Sequence, residues 1–197
     1  PIGRQRAQQR KIDESMVKKD LREEIPIPEG IEVGMVGTKL QIKGKAGQVE
    51  RNYSCPGITI TKQKDLLVIA SAKATKRENK IVRTLKAHIK NLIAGSQEPY
   101  VYTLKVCSGH FPITVTSKDK RLEIKNLFGE KTPRAIKLKA GAEVSVEGDQ
   151  ITVTSPDKEL SAQVAADIEN LSMRSGFDSR VFQDGIYITK KGGKALR

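Results

Sequence analysis

Residues Arg121 to Arg134 read RLEIKNLFGEKTPR, and this stretch decides how the rest of the chain is interpreted. Leu122 and Ile124 alternate with polar residues, as in a strand that buries one face. The chain turns around Gly129 and then resumes, so the stretch predicts a β-hairpin. The earlier segment KLQIKGKAGQVER, at residues 39–51, repeats the pattern, and its two apolar residues and its glycine stand 82 positions before their counterparts.

The repeat extends beyond the hairpins. A strand pattern of alternating Asp, Leu, Ile and Ser at 65–71 recurs 84 positions later at 149–155 as Asp, Ile, Val and Ser. The apolar stripes of two predicted helices also correspond, 79 positions apart: Ile81, Leu85, Ile89 and Leu92, and then Leu160, Val164, Ile168 and Leu171. Two copies are too few for a solenoid. The pattern therefore predicts an α+β protein of two tandem homologous domains, each an antiparallel sheet packed with one main helix.

The 197 residues suit two small domains with a short segment at each end. Residues 1–24 are polar and predict an N-terminal arm, mobile or ordered by a partner, with Met16 as a natural start. The first domain is placed at 25–98, because two prolines at its beginning force extended backbone. The second domain is placed at 99–189, and residues 190–197 form a basic tail.

Local signals place the helix ends. Gly95 is a typical residue to end the first helix. The second helix is predicted to begin with Ser155 as its N-cap and Pro156 at its first position, and to stop before Gly176. A last strand is predicted at 185–189.

The net charge of +13 favours polyanions as partners, with nucleic acid ahead of an anionic membrane surface. The charge is uneven: residues 73–90 hold seven basic residues and one acid, whereas 156–176 hold four acids and two bases. Further basic clusters lie at 131–139, 174–180 and 190–197. The last of these predicts a mobile tail that binds phosphates through counterion release.

The residues disfavour several other classes of protein. With four Phe, four Tyr and no Trp, the chain has little area for stacking single-stranded bases. Cys107 and His110 could be a thiol–base pair or two metal ligands, but a structural zinc site needs four ligands. No metal or other cofactor is predicted, and Cys55 and Cys107 are interpreted as ordinary thiols of a reduced compartment. His88 is expected to pack half-buried on its helix.

Several ordered motifs resemble the large-subunit ribosomal protein six family in its archaeal and eukaryotic form. They are His110-Phe111-Pro112, Asn126-Leu127-Phe128-Gly129-Glu130-Lys131 with Arg134, Ala165-Ala166-Asp167-Ile168-Glu169, and Val181-Phe182-Gln183-Asp184-Gly185-Ile186-Tyr187-Ile188. The resemblance covers about residues 24–191. It implies two tandem copies of one α+β domain, in agreement with the repeat.

The resemblance also implies a structural, non-enzymatic protein of the large ribosomal subunit in the cytoplasm. Its partners would be large-subunit ribosomal RNA near the sarcin–ricin loop and stalk base, neighbouring ribosomal proteins there, and translational GTPases docking nearby, with no membrane contact. The second domain would carry most of the RNA contact. The residues implied are His110, Lys131, Arg134, Arg174, Phe177, Arg180, Gln183, Gly185, Tyr187, Lys190 and Lys191, and the basic tail adds Lys194 and Arg197.

Three alternatives stay open at this point. The chain could be a polyanion-binding protein outside the ribosome, or a hydrolase or transferase acting on RNA, although no convergent nucleophile, base and oxyanion donor is evident. It could also bind a membrane surface, although the apolar stripe of the first helix is better used on its own sheet. The resemblance implies no role for the arm or for the basic first helix.

Overall fold

The computed structural model describes residues 21–63, 66–72, 75–178 and 180–195. Most of the predicted arm, with Met16, and the last two residues, with Arg197, lie outside the described residues. The chain forms two compact units, which divide between Ile93 and Ala94, and the segment Lys45–Val49 belongs with the second unit. The division falls inside the first helix, whereas the sequence pattern placed the domain limit between residues 98 and 99.

Apart from the start of β4 and the end of α1, which group with the second unit, the first unit holds two three-stranded sheets and a helix. Its elements are β1 (Leu21–Pro26), β2 (Glu32–Val36), β3 (Lys39–Gly44), β4 (Gly47–Asn52), β5 (Ile58–Gln63), β6 (Leu66–Ser71) and α1 (Lys76–Gln97). The strand orders are β2-β3-β4 and β1-β6-β5. Strand β1 begins at Leu21 and pairs with β6 antiparallel, with Leu21 opposite Ser71. Residues 21–24, assigned to the arm because three of the four are charged, therefore belong to this sheet, since backbone pairing does not require apolar side chains.

The second unit repeats this plan and extends it. Its elements are β7 (Tyr100–Cys107), β8 (Thr114–Lys118), β9 (Arg121–Lys125), a 3-10 turn (Leu127–Gly129), β10 (Arg134–Lys137), β11 (Glu143–Glu147), β12 (Gln150–Ser155), α2 (Lys158–Ser172), β13 (Gly185–Lys191) and β14 (Lys194–Ala195). The strand orders are β10-β9-β8 and β11-β12-β7-β13-β14. The predicted hairpin is confirmed, because β9 and β10 pair antiparallel with Ile124 opposite Arg134.

Each unit has a core built from equivalent residues, which confirms the duplication. The order β5-β6-β1 of the first unit reappears as β11-β12-β7, and β2-β3-β4 reappears as β8-β9-β10. The repeated apolar pairs are fully buried in both copies: Leu40 and Ile42 in the first, Leu122 and Ile124 in the second. The helices likewise bury Ile89 and Ile168 at the equivalent position.

One polar contact is duplicated as well. Ser71 donates its hydroxyl to the carbonyl oxygen of Gly57 at 3.0 Å, and Ser155 donates to that of Gly141 at 2.8 Å. Both serines are buried, so each hydroxyl needs this partner. The serine repeat seen in the sequence therefore marks the same tie between a strand end and a preceding turn in each unit.

Two predictions about helix ends were wrong, for reasons of packing and capping. Helix α1 does not end at Gly95 but continues to Gln97. A Cβ on Gly95 would lie 2.0 Å from the carbonyl oxygen of Pro156, so glycine is present there for close packing and not as a stop. Helix α2 is capped by Asp157, whose side chain accepts the N–H of Glu159 at 2.9 Å. Ser155 instead ends β12.

Gly95 tests whether packing outweighs helix propensity. Replacing an exposed glycine inside a helix by alanine usually raises the free energy of unfolding by about 1 kcal/mol. Gly95→Ala should instead lower the free energy of unfolding by roughly 2 kcal/mol, because its Cβ would overlap backbone that cannot move cheaply. Urea denaturation followed by circular dichroism measures the change, with the exposed neighbour Ala94→Gly as the propensity control. A higher denaturation midpoint for Gly95→Ala would refute this interpretation.

Candidate nucleic-acid interface

The loop between β9 and β10 carries Lys131 on an unusual backbone. Asn126, Phe128 and Gly129 all have left-handed φ values of 60°, 51° and 73°. Such values are costly for a phenylalanine and persist only where the surroundings fix them. Two contacts fix this loop: Leu127 is buried, and the side-chain amide of Asn126 donates to the carbonyl oxygen of Pro112 at 3.0 Å. The loop is therefore a shaped platform that presents Lys131 to solvent.

Arg134 holds this loop against the end of α2. Its Nε and Nη2 donate to the two carboxylate oxygens of Glu130 at 2.9 and 2.7 Å. Its Nη1 donates to the carbonyl oxygens of Leu171 and Met173 at 2.8 and 2.9 Å. The hydrogen bond from Arg134 lowers the pKa of Glu130, against the opposing effect of burial. Arg134 thus uses most of its guanidinium donors inside the protein and supports its neighbours on the surface.

Three phenylalanines and His110 form one aromatic cluster. The Phe177 ring centroid lies 5.7 Å from that of Phe128 and 5.0 Å from that of Phe182, and the Phe182 centroid lies 5.2 Å from that of His110. The ring of Phe111 lies against Gly129, so all four phenylalanines of the chain surround one place. The low aromatic content of the sequence therefore hides a local concentration.

Arg174 covers the outer side of this cluster. Its Cζ lies 4.3 Å from the centroid of Phe177 and 5.7 Å from that of Phe128, which is cation–π geometry. Its Nη1 also lies 3.8 Å from Glu130 Oε1. Arg174, Phe177 and Tyr187 line a pocket of about 220 Å³ with Phe128, Ser172, Met173, Phe182 and Asp184. Three of the predicted site residues thus meet around a mostly apolar hollow with a cation at its wall.

Asp184 joins the His110 loop to the start of β13. Its side chain is buried, and its oxygens accept the backbone N–H of Gly109 and that of His110, the latter at 3.1 Å to Oδ2. The ring Nδ1 of His110 lies 3.3 Å from the same Oδ2. Burial raises the pKa of Asp184, but the hydrogen bonds from these two residues outweigh it and leave the pKa below its usual value. The carboxylate is therefore held ionised.

The remaining predicted residues before the tail differ in their freedom. Arg180 is almost fully exposed and pairs with Asp178 at 3.2 Å, and Gln183 donates its side-chain amide to the carbonyl oxygen of Arg180 at 3.4 Å. Gly185 is buried, and a Cβ there would lie 3.3 Å from the hydroxyl of Tyr187, so glycine admits that ring. Burial raises the pKa of Tyr187, and nearby negative groups add to the effect. Its hydroxyl is therefore a neutral donor at neutral pH.

The described part of the basic tail, residues 190–195, lies in a β-hairpin, whereas the sequence predicted a mobile segment. Strand β13 continues past residue 189 to Lys191 and pairs with β14, with Lys191 opposite Lys194. The two-residue turn consists of Gly192 and Gly193, whose φ values of 55° and 80° suit glycine. The pairing was missed because three lysines and two glycines offer no apolar alternation. Among the described residues, no carboxylate forms an ion pair with Lys190, Lys191 or Lys194.

Sequence reasoning missed Lys105, which connects these parts. It is exposed on β7 opposite Tyr187. It lines a hollow of about 460 Å³ with Lys190, and a second of about 520 Å³ with His110 and Gln183. Its position on the outer face of an alternating strand was the available signal. Asp149 lines both hollows and Glu147 the first, so this surface is mixed in charge.

Other kinds of site find little support in the described part of the chain. No three His, Cys, Asp or Glu side chains among the residues described could hold a metal ion together. The two cysteines are free, as predicted, and His88 is half-buried, as predicted. No helix in the described ranges combines the length and apolarity needed to cross a bilayer.

The fold and this surface define a class: a strongly basic, internally duplicated α+β protein whose second unit carries cations and aromatic rings at its surface. No family model matches the chain. Curated relatives do match it, and the three described next are each called large ribosomal subunit protein uL6. That of Sulfurisphaera tokodaii is 41% identical over 87% of this chain and 92% of its own length, and that of Methanococcus vannielii 39% identical over 89% and 97%. For Saccharolobus solfataricus the identity is 40% over 87% and 95%.

The chain therefore belongs to the uL6 family of large ribosomal subunit proteins. This confirms the resemblance drawn from the sequence motifs. Members of the family are structural constituents of the large ribosomal subunit and not enzymes. The relatives do not identify which residues of this chain contact RNA, so the individual site residues remain predictions.

Arg134 should matter for stability more than any exposed cation. Arg134→Lys keeps the charge but removes the paired donors to Glu130 and the two hydrogen bonds to carbonyl oxygens, so the free energy of unfolding should fall by about 2 kcal/mol. The exposed Lys131→Gln, the matched control, should stay within about 0.5 kcal/mol of the parent. Equal urea denaturation midpoints for the two variants would show that Arg134 has no supporting role.

Asp184 should make stability depend on pH in a defined direction. Asp184→Asn should lower the free energy of unfolding by about 2 kcal/mol at neutral pH, because one amide N–H₂ would face backbone donors. Since the pKa of Asp184 is lowered by folding, its contribution is complete above its unfolded pKa and is lost as the pH falls through the folded value. The difference in free energy of unfolding between parent and variant should therefore begin to narrow only as the pH falls below about 4.

The measurement is urea denaturation at a series of pH values. The exposed Asp149→Asn serves as the control and should show no such pH-dependent difference. If the difference in free energy of unfolding between parent and Asp184→Asn became larger toward acid pH, the stabilising role of the ionised Asp184 would be contradicted.

Proposed function

We propose that this protein binds large-subunit ribosomal RNA through its second unit, near the sarcin–ricin loop and the stalk base. There it would support the region in which translational GTPases dock, beside neighbouring ribosomal proteins. Family membership supports ribosomal RNA as the polyanion. The likeness of the His110-Phe111-Pro112 and Asn126–Lys131 motifs to the family supports the position on the subunit.

One observation carries the assignment to the second unit. Both units have the same strands and helix, but only the second has the β13–β14 hairpin among the described residues. This added hairpin holds Lys190, Lys191 and Lys194, all exposed. A duplicated fold that is complete without the hairpin in one copy does not need three lysines there for folding. Binding of phosphate groups explains both the position and the charge.

The surrounding residues suit a folded RNA better than a single strand. Lysine ammonium groups and the exposed Arg180 can neutralise phosphates without reading bases. Arg174 is held in place by Phe177, so its guanidinium can meet phosphate or the plane of an unpaired base with little loss of side-chain freedom. The neutral hydroxyl of Tyr187 and the glycine turn at Gly192 permit close approach to sugar and backbone oxygens.

The hairpin lysines provide the direct test. Replacing Lys190, Lys191 and Lys194 by Glu should prevent incorporation into large subunits, because three attractive charges become repulsive. In binding to purified ribosomal RNA, the negative slope of log K against log salt should become less steep by about 0.7–0.9 for each phosphate group that the variant no longer neutralises. Co-sedimentation with large subunits at raised salt measures the first effect.

The control replaces Lys118, Lys120 and Lys125 by Glu. These exposed lysines belong to β8, β9 and their turn, and the control makes the same change of net charge. It should retain incorporation. If both triple variants co-sediment as the parent does, the hairpin is not the RNA-binding element. Crosslinking of the parent to ribosomal RNA, with peptides mapped in both units, tests the position independently.

A further inference from the structure

Helix α1 carries a basic stripe, defined by Lys76, Lys80, Arg83 and Lys90. These positions are four, three and seven apart, so they lie along one side of the helix. All four are exposed, whereas the opposite side buries Val82, Leu85, Ile89, Leu92 and Ile93. At 1.5 Å per residue, the stripe extends about 21 Å.

The cations of the stripe have little to neutralise them. Among the described residues, the ion pairs include none between the stripe and a carboxylate. The nearby Glu23 is already bonded to Lys86, which lies off the stripe and is half-buried. The hydrogen bond from Lys86 is the largest effect lowering the pKa of Glu23, and the charges of Arg83 and Lys90 contribute less. Like charges three and four residues apart repel, so the stripe opposes helix formation.

The duplicated fold supplies an internal comparison. Helix α2 occupies the same place in the second unit, 79 positions later along the chain. Lys80 corresponds there to Glu159, and Lys90 to Glu169, whose Oε1 accepts the backbone N–H of Ile188 at 3.0 Å. The equivalent helix α2 packs on the same kind of sheet with acids at two of the four stripe positions, so the fold does not require the basic stripe.

The residues between the cations narrow the kind of partner. The exposed side chains within the stripe are small or polar, such as Thr84 and Ala87. None of the exposed large hydrophobic residues of the described chain lies on α1. An apolar face to insert into a membrane is therefore lacking, as are the aromatic anchors typical of protein interfaces. Regularly spaced cations without apolar contacts favour a phosphate backbone.

We propose that the basic stripe of α1 is a second RNA-binding surface, which holds the phosphates of large-subunit ribosomal RNA without reading its bases. The identity of the RNA rests on the proposed function, whereas the stripe and its contrast with α2 do not. The first unit would then contribute to RNA binding independently of the β13–β14 hairpin, and its contribution would be strongly dependent on salt.

The test uses the full chain and protein-free archaeal large-subunit ribosomal RNA. The stripe variant carries Lys76→Gln, Lys80→Gln, Arg83→Gln and Lys90→Gln. The control variant carries Lys39→Gln, Lys43→Gln, Lys118→Gln and Lys125→Gln, which remove the same charge from exposed strand positions. A hairpin variant carries Lys190→Gln, Lys191→Gln and Lys194→Gln. Thermal unfolding of each checks that it folds.

The negative slope of log K against log salt should become less steep by roughly 3 for the stripe variant, because its four removed cations each neutralise one phosphate in the parent complex. The change should be much smaller for the control. In the parent complex, peptides from residues 76–90 should crosslink to the RNA. This measurement is independent of the variants. Equal changes in stripe and control variants would overturn the inference, because net charge alone would explain them. So would an unchanged stripe variant beside a weakened hairpin variant, which leaves the proposed function standing.

A stripe variant that binds naked RNA normally but fails to join large subunits with their proteins would also overturn the inference and assign the stripe to a protein. A parent chain without salt-dependent affinity for the RNA would overturn the proposed function together with it.

Discussion

The buried carboxylate of Asp184 is the group on which the second unit's surface depends. It receives two backbone N–H groups and a histidine ring from a loop 74 residues earlier, and so joins the end of β7 to the start of β13. Phe182 packs on His110 from the same turn, and Phe177 packs on Phe182. A charge this deeply buried is stable only while these donors remain, because an unpaired buried carboxylate is strongly unfavourable. The aromatic cluster and the added hairpin therefore share one anchor.

Duplication separates what the fold needs from what function adds. The residues common to both units are the inward apolar positions and the buried serines that bind a turn carbonyl. The units differ in the charges of their two helices, which lie at the surface, and in the strands added beside β7, of which β13 also buries Ile186. A stable domain needs its core and its paired strands, and the solvent-facing positions are then free to diverge. The comparison of the two copies thus supplies evidence that a single sequence rarely contains.

Local patterns in the sequence predict most of the fold, whereas contacts distant along the chain do not follow from them. Alternation predicts the hairpin around Gly129 because it depends on neighbours within a few residues. The repeat predicts the second domain because the same local patterns occur twice in the same order. The role of Asp184 depends on a loop 74 positions away, and in sequence it looks like a turn residue before Gly185. In the sequence, Gly95 resembles a helix end. Its packing role is not visible there, because the carbonyl of Pro156 that excludes a side chain is 61 residues away. In the sequence, Arg134 looks like any other surface cation. Its supporting role follows only from its hydrogen bonds to the carbonyl oxygens of Leu171 and Met173.

The pairing of β14 with β13 has a consequence for how the sheet meets other molecules. The last strand of a sheet leaves backbone donors and acceptors that a strand from a second copy could satisfy, and this is a common route to aggregation. In the part of the chain that the structure describes, this edge strand, β14, is two residues long, and Lys194 lies opposite Lys191 across a tight glycine turn. Two copies that paired edge to edge along β14 would bring the ammonium groups of their lysines together. The lysines proposed to bind phosphate groups would thus also oppose pairing of this sheet with the sheet of a second copy.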